Sequence, residues 1–142
     1  MKMLRGFTIV EALVVLSVIA ILAALTIPSF QDSLKRSKVR KTSDLLSQAI
    51  TMAQNEALRR NIKTYLEVTS TGDICIGTAS SDCDLRREAL ISGVTVSTTK
   101  LVLSPFYGIP SPAPADFTIT YFGVSQTVTV NKLGIVTVGD IS

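Results

Sequence analysis

Glu11 is the residue whose position most needs a chemical reason. From Ala12 to Phe30 no residue is charged, and Phe7 to Val10 just before it are uncharged as well. At ~1.5 Å of rise per helical residue, the run from Phe7 to Ile27 would reach roughly 30 Å, one hydrocarbon core. A charge at mid-bilayer costs on the order of 2.5 to 3.5 kcal/mol even on a lenient scale. A segment built only for anchoring would not carry one. Phe7 lies four residues earlier on the same helical face, so a cation there, or on an adjacent helix, would supply the counter-ion that a buried carboxylate needs.

Little else in the chain suits catalysis. There is no histidine, which removes the commonest general base and metal ligand. Two cysteines, Cys75 and Cys83, are too few for a zinc site without histidines. No glycine-rich phosphate loop or nucleophile elbow occurs, and Asp82 and Asp84 alone do not make a calcium loop. The residues predict no enzyme, no metal and no cofactor.

The stretch before Glu11 carries a motif. Met1 to Gly6 holds Lys2 and Arg5, ends in glycine, and leads into Phe7, Thr8 and then Glu11. This resembles the class III prepilin leader of type IV pilins and of the pseudopilins of type II secretion. The resemblance implies that a membrane peptidase, the prepilin peptidase, cuts after Gly6 and methylates the amine of Phe7. Cleavage would leave an ammonium group on Phe7 beside Glu11, and methylation would keep it protonated near pH 7. Pairing within one chain, or between subunits when apolar helices bundle, would then make Glu11 a register mark for assembly. An ordinary secretory signal peptide has a shorter apolar core followed by a small-x-small cleavage site, and the run here fits neither feature.

One long helix must position these groups. The sequence predicts it from about Thr8 to Asn61, with a membrane-spanning first half and an amphipathic second half. Pro28 should kink it by removing a hydrogen bond, and pilins tend to carry a proline at this distance. Ser29 to Asn61 lacks glycine and proline, and Leu46, Ala49, Ile50, Ala53 and Ala57 recur at spacings of three and four, which marks one core-facing stripe. After Lys63 the period changes to short β-rich runs: Thr64 to Thr69, Ile74 to Gly77, Val94 to Ser97, Leu101 to Leu103, Phe117 to Phe122, Gln126 to Val130 and Ile135 to Val138. Ser70 to Asp73 reads as a turn, and Asn131 to Gly134 should close a hairpin between the last two strands. Four prolines and a glycine between Ser104 and Asp116 predict a surface loop. The fold class is α+β: a long N-terminal helix on an antiparallel β-rich head, as in type IV pilins. The expected boundaries are 1–6 leader, 7–29 membrane or filament-core helix, 30–62 amphipathic helix and 63–142 globular head.

The formal charge is +3 at pH 7, of which Lys2 and Arg5 supply two, so the chain from Phe7 onward carries +1. Residues 35 to 63 hold eight bases against Asp44 and Glu56, whereas residues 64 to 142 hold seven acids against four bases. That asymmetry suits a solvated helix face, subunits that stack, or a helix near anionic headgroups. Counting bases on either side of the span would put the long domain in the cytoplasm. The prepilin resemblance implies the opposite, a single-pass protein of the bacterial inner membrane with its head in the periplasm, later part of a pilus or pseudopilus.

A second resemblance concerns the head. Ala53 to Asn61 and Val130-Asn131-Lys132-Leu133-Gly134-Ile135-Val136 are similar to the corresponding stretches of the GspH/FimT/FimU group. This implies a minor pilin that helps initiate or cap type IV pilus assembly, in twitching or adhesion. Its alternative is the GspH-type pseudopilin of a type II secretion system. The implied partners are other pilin or pseudopilin subunits, the peptidase, the inner-membrane assembly platform and the membrane. In a periplasm Cys75 and Cys83 can oxidise to a disulfide worth roughly 2 to 3 kcal/mol, two free thiols being the alternative. DNA receptors of this group carry a Gly-Arg-X-Arg pattern near the C-terminus; here the stretch reads Leu133-Gly134-Ile135-Val136-Thr137-Val138, without the arginines. With a net acidic head, nucleic acid is disfavoured as a partner.

Overall fold

The computed structural model describes residues 7–97 and 100–142, except for the side chains of residues 25–28. Helix α1 runs Ile9–Arg60, within a residue of the expected bounds at each end. Position 28 is helical, while the Pro28 side chain lies outside the described residues. At its C-terminus Asn61 takes a left-handed conformation (φ 54°), and the Ile62 N–H donates to the Ala57 carbonyl at 3.3 Å. This is the six-to-one bond of a Schellman stop, with asparagine in the place glycine usually takes. Glu56 holds Arg59 at 2.8 Å and Arg60 at 2.6 Å over the same turn.

The chain divides into two compact units, Met1–Leu34 and Lys35–Ser142. Among the described residues of the second, nine strands follow the helix: β1 Thr64–Val68, β2 Asp73–Gly77, β3 Arg86–Ala89, β4 Thr95–Val96, β5 Lys100–Leu103, β6 Pro110–Ser111, β7 Ala115–Tyr121, β8 Val124–Val130 and β9 Val136–Val138. They form a five-stranded sheet in the order β3-β2-β1-β5-β6 and a four-stranded sheet in the order β4-β7-β8-β9. All pairings are antiparallel.

Alternation along the strands builds the core. Leu66, Val68, Ile74, Ile76, Leu101 and Leu103 of one sheet, and Phe117, Ile119, Val128 and Val130 of the other, are buried in one cluster with Val39, Leu46, Ala49, Ile50, Ala53 and Ala57 of α1. The expected helical stripe is thus core. One polar seam crosses it: the Ser43 hydroxyl donates to Gln126 Oε1 at 2.8 Å, and Gln126 Nε2 donates to the Gly139 carbonyl at 2.8 Å. Buried polar atoms that find partners cost little and fix register.

Two elements depart from the sequence expectation. β3 consists of Arg86-Arg87-Glu88-Ala89, a charged edge strand with no hydrophobic alternation to betray it. The expected loop from Ser104 to Asp116 contains the two-residue β6, whose Pro110 is tolerated because this is a sheet edge. The hairpin through Asn131 is present, with the Asn131 side chain accepting from the Leu133 and Ile135 N–H groups at 2.8 and 3.0 Å. A tighter hairpin joins β7 to β8 through Phe122 and Gly123, both at positive φ (44° and 83°), the type I′ geometry that matches strand twist.

Candidate functional site

The start of α1 is fixed by a side chain. Thr8 Oγ1 accepts the Glu11 backbone N–H at 3.2 Å, and the Thr8 carbonyl accepts the Ala12 N–H at 3.1 Å. Thr8 is therefore the N-cap and Glu11 the third helical residue, the Thr-x-x-Glu spacing of a capping box. A carboxylate in the first turn also meets the positive end of the helix dipole. Phe7, just before the cap, is 73% exposed. Gly6, the expected cleavage position, lies outside the described residues.

Beyond the cap, every residue from Phe7 to Ala24 is exposed. The side chains include Ile9, at 81%, with Val10, Leu13, Val14, Leu16, Ile19, Ile21 and Leu22. Ser17 satisfies its hydroxyl internally, donating to the Val14 carbonyl at 2.8 Å, so the surface remains apolar. By length and composition the helix can cross a membrane. An apolar surface of this extent demands a cover. Lipid and other apolar helices are the two covers that fit a rod with a single carboxylate at its tip.

The other expected site lies in the second unit and is structural. Cys75 and Cys83 are bonded, with Cα atoms 4.9 Å apart. The enclosed loop is clipped again by Asp84, which accepts the Thr78 N–H at 2.8 Å and the Thr78 hydroxyl at 2.9 Å; these bonds hold its carboxyl below the usual range. Burial would raise Glu67, but Lys100 at 3.0 Å and the Ser80 hydroxyl at 2.9 Å outweigh it and lower the net value. Lys100 also bonds the Ser80 hydroxyl. Gly77 is sterically required: a Cβ there would lie 1.9 Å from the Asp82 carbonyl oxygen.

Sequence reasoning missed the roles of Thr8 and of Lys38 with Tyr121. The cap role of Thr8 had a signal in Thr-x-x-Glu. The Lys38 ammonium donates to the Tyr121 hydroxyl at 2.8 Å and sits 4.6 Å from that ring's centroid; 83 residues separate the pair, and nothing local marks it. Among the described residues no group of three or more His, Cys, Asp or Glu side chains is arranged to hold a metal ion.

Comparison with known proteins adds to this geometry. The family described as "Type II transport protein GspH" matches residues 42–134, and the "Prokaryotic N-terminal methylation motif" matches residues 1–27. A type IV major alpha-pilin of Moraxella bovis is 29% identical over 94 residues, covering 66% of this chain and 59% of the relative. A fimbrial protein of Pseudomonas aeruginosa is 38% identical over 58 residues, covering 41% of this chain and 38% of the relative. The chain thus spans 59% or less of the length of these two curated relatives. Among solved structures, the type IV minor pilin FimU of Pseudomonas aeruginosa is similar with a TM-score of 0.63 at 16% identity, covering 74% of this chain and 90% of that one. At that identity the likeness is one of fold: a long N-terminal helix on antiparallel sheets.

Proposed function

Because this chain belongs to the GspH family of type II transport proteins, we propose that it is a minor pilin, a structural subunit that helps initiate or cap a type IV pilus. Family membership itself gives the coarser role, a pilin or pseudopilin that assembles with other pilins. The exposed apolar rod from Phe7 to Ala24, with Glu11 in its capped first turn, supports assembly of either kind, and what favours the minor pilin is the likeness in fold to FimU, at a TM-score of 0.63 over 90% of that chain. Such a rod is stable in lipid or among its own kind, and its carboxylate is stable where a cation faces it.

In this reading the prepilin peptidase cuts after Gly6 and methylates Phe7, and the mature chain waits in the inner membrane with its head in the periplasm. Residues 7–29 then enter the filament core through the assembly platform, while residues 30–62 and the head 63–142 add to the outside. Pro28 leaves one helix hydrogen bond unmade, so the helix bends or melts most cheaply there. Chemistry by side chains plays no part.

The family's own description supports a second reading, the GspH role in a type II secretion pseudopilus. Deletion of the gene separates the two. Loss of surface pili with secretion intact supports the pilus; loss of exoprotein secretion with pili intact supports the pseudopilus and overturns our first reading.

A further inference from the structure

The exposed surface of α1 just after the apolar run is basic. Val39, Thr42, Ser43 and Leu46 are buried against the sheets. At about 100° per residue, Arg40 and Lys41 point away from that arc and Arg36 borders it, and all three are exposed. None takes part in an ion pair or side-chain hydrogen bond among the described residues. Lys38, by contrast, is used inside the unit, on Tyr121. Asp44 is exposed nearby, which leaves a surplus of two positive charges. Cationic side chains held in water without partners are available to an anionic surface.

The sequence places such a surface close by. Gln31 ends the uncharged stretch, Asp32 and Lys35 come next, and Arg36, Arg40 and Lys41 follow Gln31 by five, nine and ten residues, roughly 8 to 15 Å of rise along a helix. The headgroup layer and a Debye length of about 8 Å together reach that far, and long basic side chains bend back toward an interface. We propose that Arg36, Arg40 and Lys41 form a docking face for anionic phospholipid headgroups on the leaflet from which the head emerges. The inference rests on reading the apolar rod as a membrane span. It also gives a reason for bases on the side where charge counting alone would not place them: they hold the waiting subunit at the bilayer and are released when the rod is drawn into a filament.

The test uses the full chain in mild detergent, equilibrated with equal amounts of phosphatidylglycerol and phosphatidylcholine, with retained lipids counted by native mass spectrometry. The wild type should retain phosphatidylglycerol preferentially, and the preference should fall about fivefold for each base removed. In the triple variant Arg36→Gln, Arg40→Gln, Lys41→Gln it should disappear, while carbonate extraction leaves both proteins in the membrane fraction. No preference in the wild type, or an unchanged one in the variant, overturns the proposal. So does a gel shift of duplex DNA by the wild type that the variant loses, which would assign the face to nucleic acid. Release of both proteins by carbonate would refute the membrane span itself, and this inference with it.

Discussion

A carboxylate in the first turn of a helix gains about 0.3 to 1 kcal/mol from the dipole. That is small beside the cost of an unpaired ion in apolar surroundings, so the cap alone does not account for Glu11 once apolar helices cover it, and a counter-ion must supply the difference. Accordingly Glu11→Ala should leave cleavage after Gly6 largely intact and strongly reduce assembly, read as the ratio of filament-borne to membrane-borne protein. Thr8→Ala keeps the carboxylate and removes only the cap, a loss of about 1 kcal/mol in helix-end stability, seen as faster amide exchange at Glu11 with assembly largely retained. In the head, Gly77→Ala forces a Cβ into the Asp82 carbonyl at 1.9 Å. Overpacking against backbone costs about 1 to 3 kcal/mol, and thermal unfolding should register it as a lowered Tm. The exposed apolar run with an acid in its first turn was legible in the sequence because a lone acid in an apolar run has few bland explanations. Ser43 with Gln126 was not, because that pair meets only after the chain folds over 83 residues.

Elements were legible in proportion to their hydrophobic pattern. The stripe from Leu46 to Ala57 and the alternating strands β1, β5, β7 and β8 declare themselves, since burial selects their side chains. β3 is read only in three dimensions: its charges keep an exposed edge from pairing with other chains, and Arg87 lies 4.0 Å from Asp73 of the adjacent strand. β6 is two residues long, too short for any period. The disulfide belongs to this scale because it ties β2 to the loop before β3. Cys75→Ser with Cys83→Ser should lower stability by about 2 to 3 kcal/mol in the chain-entropy model, measured by urea unfolding of the oxidised chain against the double variant. Asp84 and Thr78 retain part of the loop's order through their own bonds.

For the whole molecule, three carboxylates couple stability to acidity. Glu56 is held below its ordinary value of 4.5 by Arg60 and then Arg59. Lys100 and Ser80 hold Glu67 below 4.5 against the opposing effect of burial, and Asp84 is held below 3.8 by Thr78. A carboxyl whose folded pKa is depressed adds stability above its unfolded pKa and loses it as pH falls through the folded one. The Tm of the full chain should therefore be steady near neutrality and decline below about pH 4.5, with a smaller decline in Glu67→Gln. The central claim concerns the other end of the chain, where the exposed rod and its capped acid have meaning only if a cation is created beside them. Intact-mass spectrometry of the protein recovered from bacterial membranes containing a prepilin peptidase tests it most directly. A chain beginning at Phe7 with one added methyl group is the predicted result, and a chain still beginning at Met1 would contradict the account.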